Sequence, residues 1–165
     1  MSILCIGAHC DDIELGCGGT LRTVRELYPD ASVHWIVLCS TSERAAEARR
    51  SADGWLAGTP ASIEVHAFED GYLPYNAAPV KRLFVELASR VRADVVFTHW
   101  EDDRHQDHRI VSELTWNHFR DHMILEYEIP KYDGDMGRPS VFVPLSRDEC
   151  EHKARDLIAF YPTQR

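Results

Sequence analysis

Four short apolar runs, at residues 3–8, 33–39, 63–68 and 94–99, alternate along the chain with stretches whose apolar residues recur at helical spacing. Runs this short and this apolar suit strands buried on both faces. Between them, Leu21, Val24 and Leu27 share a helical face, residues 44–56 are rich in Ala, Arg and Glu, and Val80, Leu83, Phe84, Leu87 and Val91 form another stripe. Strands and helices alternating over short connections predict a doubly wound α/β domain, a mainly parallel, Rossmann-like sheet flanked by helices. A helix from 109 to about 121, a strand at 123–128, a loop at 131–139 punctuated by Gly134, Gly137 and Pro139, a last strand at 141–143 and a helix at 147–160 complete the expectation.

With 165 residues and no repeat or linker, the chain is expected to be one domain over 1–165, lacking a short tail after Tyr161-Pro162-Thr163-Gln164-Arg165. A formal charge of −9 repels polyphosphate and argues against nucleic acid as a partner. No run approaches the ~18 apolar residues of a membrane span, and no basic segment precedes the first apolar run, so a cytoplasmic protein is expected. Five cysteines, Cys5 and Cys39 among them inside apolar runs, imply no disulfide framework. A homo-oligomer is compatible with all of this.

The first run leads directly into Ala8-His9-Cys10-Asp11-Asp12-Ile13-Glu14, and the fourth leads through His99-Trp100-Glu101-Asp102-Asp103-Arg104 into His105-Gln106-Asp107-His108. Ligands of open α/β sheets bind at the carboxyl ends of strands, so two polar clusters are expected at one edge. Each cluster offers imidazole and carboxylate, the donors of a catalytic zinc that keeps one position open. His9, Asp12 and His108 would make such a set, with Asp11 free to act on water. Taken singly, Asp11 or Asp12 could equally cap the next helix, and His105 with His108 could be a solvated helix start. Gly16, Gly18 and Gly19 lack the dinucleotide spacing and sit among carboxylates, so they read better as sites of close helix-to-sheet approach than as a phosphate loop.

The segment 8–14 resembles the Ala-His-Pro-Asp-Asp-x-Glu signature of the LmbE/PIG-L family of zinc-dependent N-deacetylases, and residues 105–108 resemble its His-Pro-Asp-His. Arg44-x-x-Glu47 and Tyr161-x-x-Gln164 extend the likeness over most of the chain. The resemblance implies one Zn2+ per chain on His9, Asp12 and His108, with Fe2+ or Co2+ able to use the same donors. It implies Asp11 as general base, His105 as the oxyanion-stabilising group in its imidazolium form, Asp107 as the carboxylate that orients His105, and Arg44 as a substrate contact. The substrate class implied is a small N-acylated amino sugar or its conjugate, selected by the segment 127–138 at the mouth. Tyr127, Tyr132, Trp100 and Tyr72 are candidates to stack on a sugar ring.

Cys10 and Gln106 replace the prolines of the pattern, so both turns lose a fixed φ, and Cys10 is a candidate extra ligand. Asp103 receives no role. Two histidines and a carboxylate also describe a non-haem iron oxygenase, and a non-catalytic metal or sugar-nucleotide binding module is the third reading.

Overall fold

A computed structural model describes residues 1–164, with Arg165 outside them. Among the described residues five parallel strands form one sheet in the order β3-β2-β1-β4-β5: β1 Ser2–Gly7, β2 Ser32–Cys39, β3 Ala61–Phe68, β4 Val95–His99 and β5 Met123–Tyr127. The helices are α1 Asp12–Gly16, α2 Gly18–Leu27, α3 Ser42–Trp55, α4 Ala77–Arg90, α5 Gln106–His118 and α6 Arg147–Phe160, with single 3-10 turns at Leu73–Asn76 and Pro162–Gln164. The expected doubly wound α/β architecture is what the chain adopts.

Alternation along the central strand explains the two layers. Ile3 and Cys5 join Trp35, Val37, Ala48, Ala52 and Trp55 on the face covered by α1, α2, α3 and α6. Leu4 and Ile6 join Ile36, Leu38, Phe84, Leu87 and Val111 on the face covered by α4 and α5. Because consecutive side chains of a strand point to opposite faces, a strand apolar throughout can be buried on both.

Helix starts follow local chemistry. Thr41 Oγ1 accepts from Arg44 N–H at the start of α3, and Ser146 with Glu149 forms a reciprocal capping box at the start of α6. Asp11 occupies the cap position of α1 without a side-chain cap bond, so the capping reading fails for it.

Two expectations are corrected. Residues 141–143 form no strand: they pair with no neighbour in the sheet, and Val141 and Phe142 are 59% and 76% exposed. Their apolar character belongs to a surface-lying connection between β5 and α6. The run at 63–68 is a strand but not a buried one, because β3 is the sheet edge and its residues are mostly half-buried.

The glycine reading holds at Gly16, where a Cβ would lie 2.1 Å from Tyr127 Cδ2 of the sheet, whereas Gly18 and Gly19 closely approach Trp55 of α3 and Leu145 instead. Tyr127 is itself buried and donates its hydroxyl to Ile6 O, so the ring cannot retreat. Gly16→Ala is therefore expected to destabilise the fold by about 1–3 kcal/mol through overpacking, read from the urea midpoint of the variant against the parent.

Candidate metal centre

β1 and β4 lie side by side although more than 80 residues separate them, with Ile3 opposite Val95 and Cys5 opposite Phe97. The chain order reverses between these strands, and that switch point opens the crevice where α/β sheets bind ligands. The loops leaving the two strands thereby meet. Ala8 N–H donates to His99 Nε2 at 2.9 Å, a bond that ties one strand end to the other.

His9, Asp12 and His108 converge there. His9 Nδ1 lies 3.1 Å from His108 Nε2 and 3.4 Å from Asp12 Oδ2, and His108 Nε2 lies 3.6 Å from the same oxygen. Donors of a tetrahedral zinc, each about 2.0–2.1 Å from the ion, are roughly 3.3–3.4 Å from one another, so this triangle fits such a cation. All three residues are buried. Asp12 Oδ2 also accepts His9 N–H at 2.6 Å, which fixes the turn that brings two donors three residues apart onto one point.

The outer nitrogens support the same assignment. A ligating histidine usually gives its second N–H to a carboxylate, which sets the tautomer. His108 Nδ1 is 2.9 Å from Asp103 Oδ2, and His9 Nε2 is 3.2 Å from Asp107 Oδ2 and 3.1 Å from Asp70 Oδ1. Burial acts to lower the His9 pKa, but Asp107, Asp12 and Asp70 outweigh it and lift the ring to about 10. Burial likewise pushes Asp12 upward, and His99, His9 and His108 outweigh it to hold the carboxyl well below its usual range.

His99, to which the sequence reading gave no role, lies 3.2 Å from Asp12 Oδ2 and stacks on His108 with ring centroids 3.9 Å apart. Asp12, His99 and His108 form one group that could hold an ion, as do His9, His105 and His108, and His9, Asp70, His105 and Asp107. The lone pair of His99 Nε2 is, however, taken by the Ala8 amide, whereas His9 Nδ1 is turned towards His108 and Asp12. That favours His9 as the third donor.

The remaining expected residues are near, with changed partners. Asp11 Oδ1 accepts from Arg44 Nη2 at 3.1 Å, which places Arg44 against the expected base. Burial and then Asp12 raise the Asp11 pKa while Arg44 restrains it, so the carboxylate is more basic than usual. Asp107 does not orient the His105 ring with its carboxylate. That carboxylate instead accepts from Gly71 N–H at 2.6 Å and Leu73 N–H at 3.1 Å and touches His9. Gly71 allows this with φ +81°, a backbone conformation L side chains rarely adopt. What Asp107 gives His105 is its amide, which donates to Nδ1 at 3.2 Å and makes His105 the cap of α5.

Burial, then His108 and His9, lower the His105 pKa, which works against the expected imidazolium form. With Nδ1 accepting from the Asp107 amide, the ring proton of the neutral form belongs on Nε2.

Cys10 is not a further ligand, because its buried thiol is directed to Cys39 O at 3.4 Å. Gln106, in the second proline position, uses its amide to reach Gly71 O at 3.2 Å. Of the aromatic candidates Tyr127 is core, and Trp100 lies against Gly137. Tyr72 is half exposed beside Tyr75, between the two amides that Asp107 anchors, and Tyr132 is fully exposed.

Asp103, like His99, is a residue that sequence reasoning passed over. Its signal was present in a carboxylate five residues before a ligand histidine, the outer partner such a ligand requires. Asp103→Ala is expected to weaken Zn2+ binding roughly 10–100-fold, measured by competition with a chromogenic chelator; unchanged affinity would remove Asp103 from the centre.

Comparison with known proteins adds an independent line. A family model described as PIG-L, GlcNAc-PI de-N-acetylase, matches residues 4–119, which span β1 to the turn after α5 and hold every residue of the centre. A comparison with curated proteins finds no match. A conserved protein of Thermus thermophilus has the same fold with a TM-score of 0.73, at 24% identity over 96% of this chain and 77% of that one. The N,N'-diacetylchitobiose deacetylase of Pyrococcus horikoshii aligns with a TM-score of 0.67, at 19% identity over 96% of this chain and 69% of that one. A deacetylase of teicoplanin biosynthesis aligns at 0.70, with 12% identity over 97% of this chain and 84% of that one.

Proposed function

The chain belongs to the PIG-L family, and on that premise we propose that it is a metal-dependent hydrolase that removes the acyl group from the nitrogen of an N-acylated amino sugar or its conjugate. The observation that carries the reading is the triangle of His9, Asp12 and His108 donor atoms beside a carboxylate, Asp11, that is kept out of the triangle. Zinc is the cation these donors suit best, and Fe2+ or Co2+ could use the same set.

A divalent cation at this centre supplies Lewis-acid polarisation of the amide carbonyl and makes water acidic enough to attack near neutral pH. The chain's own residues do the rest. Asp11, raised by burial and held in place by Arg44, accepts the proton that the attacking water loses. His105 offers Nε2–H to the carbonyl oxygen as negative charge grows on it, an interaction stronger in the transition state than before it. The proton on Asp11 then passes to the departing nitrogen, and a carboxylate and a free amine leave. Arg44 acts here through Asp11, a different part from the substrate contact first expected of it. Of the four aromatic candidates, Tyr72 and Tyr132 are the ones with exposed rings open to a sugar.

The testing experiment is metal analysis followed by an amine-release screen on N-acetylglucosamine conjugates with zinc, iron and cobalt. Acetate released without oxygen separates hydrolysis from the oxygenase alternative. Asp12→Ala and His108→Ala are expected to lose bound metal, whereas Asp11→Ala keeps it and loses nearly all turnover. Equal metal loss in all three would refute Asp11 as the base. His105→Ala is expected to retain metal with kcat lower by about 10²–10³, the scale for one oxyanion donor; an unchanged kcat would take His105 out of the mechanism.

A further inference from the structure

The segment after β5 is fastened to the turn before α5 by the Lys131 ammonium and by the Arg104 amide. Lys131 Nζ lies 2.9 Å from Asp103 Oδ2 and 2.7 Å from Asp135 Oδ2, and the side chains of Lys131, Asp103 and Asp135 are only 17%, 3% and 5% exposed. Asp103 uses the same Oδ2 for His108 Nδ1 and its Oδ1 for His105 N–H at 2.7 Å. Asp135 Oδ2 accepts Arg104 N–H at 2.6 Å, and Gly137 N–H donates to Glu128 Oε1 at 2.5 Å. Two sequestered carboxylates therefore face one cation. One belongs to the turn that carries His105 and orients His108, and the other to the loop at 131–138.

We infer that Lys131 is a positioning residue, whose charge holds Asp103 where it aims His108 and binds the loop 131–138 to the same turn. The inference rests on His108 being a metal ligand. Without the ammonium, Asp103 and Asp135 are like charges brought close in a poorly hydrated place, where an unpaired ion is costly. Their relief is to swing apart. Asp103 then leaves His108 without its partner, and Asp135 releases both Arg104 and the loop. Arginine keeps the charge, whereas methionine keeps only the bulk.

The test uses the full chain freed of metal, with Zn2+ affinity read by chelator competition and limited proteolysis reading release of residues 131–138. Lys131→Met is expected to weaken Zn2+ binding roughly 10–100-fold, the scale for loss of an outer partner of a ligand histidine, and to speed cleavage in the loop. Lys131→Arg restores both readings. Asp135→Asn, which leaves the Lys131–Asp103 pair in place, speeds cleavage and keeps Zn2+ affinity. Should Lys131→Met not fold, Lys131→Gln carries the same expectation. Wild-type Zn2+ affinity in the charge-removing variant, even with a lowered Tm, overturns the proposal, as does a loss of affinity in Asp135→Asn equal to that in Lys131→Met. Neither reading uses a substrate, so failure of the proposed deacetylation and failure of this inference are separable.

Discussion

The parallel pairing of β1 with β4 is the contact on which the site depends. It is made between segments remote in sequence, and it ends both strands at the same level, so the loop at 8–12 and the loop at 100–108 emerge side by side. Closing so long a loop costs entropy that local contacts do not repay, and the repayment comes from apolar burial on both faces of the central strand. The hydrogen bond from Ala8 to His99 is the visible join. Were the register between these strands to slip by one residue, every side chain of β4 would change faces and the donor triangle would open.

Within that crevice charge is sorted by partner rather than by residue type. Asp12 lies among imidazoles and is held ionised, Asp11 next to it turns to Arg44, and Asp103 stands behind His108 and Asp107 behind His9. Four carboxylates in a small volume are tolerable because each has a cationic or N–H partner. The same arrangement explains why two adjacent aspartates can serve different ends. The backbone bond from His9 N–H pulls Asp12 into the cluster, and Asp11, at the cap position before α1, pairs with Arg44 instead.

The connections between elements form a different layer of the molecule. The connection from β5 to α6 is long and without helix or strand from residue 128 to residue 146, yet its near end is fixed by Lys131, Asp135 and Gly137 to residues of the metal-centre turn and of β5's exit. Exposed aromatic rings lie on such connecting segments, Tyr72 after β3 and Tyr132 after β5, while the strand-borne Tyr127 is consumed by the core. A scaffold of this kind allows connecting segments to vary without disturbing the strands that bring His9, Asp12 and His108 together.

How much of this was legible beforehand can be argued residue by residue. Five of the six strands expected are present, as are the helices, because apolar runs and helical stripes are local patterns that burial enforces directly. The extra strand at 141–143 failed because apolar composition alone does not provide a neighbour to pair with. His9, Asp12 and His108 could be named from position at strand ends and from motif likeness, and the structure brings their donor atoms together. By itself the sequence determined the alternation of elements, the placing of imidazole and carboxylate at two strand exits, and the family pattern those residues follow. Only the tertiary structure decided which partner each of them takes: Arg44 for Asp11, His9 and two loop amides for Asp107, His108 and Lys131 for Asp103, and the Ala8 amide for His99. The physical reason is range. Spacing along a chain sets which face a side chain occupies, but a hydrogen bond needs its two atoms within about 3 Å, and across such separations that is settled by strand register and packing alone.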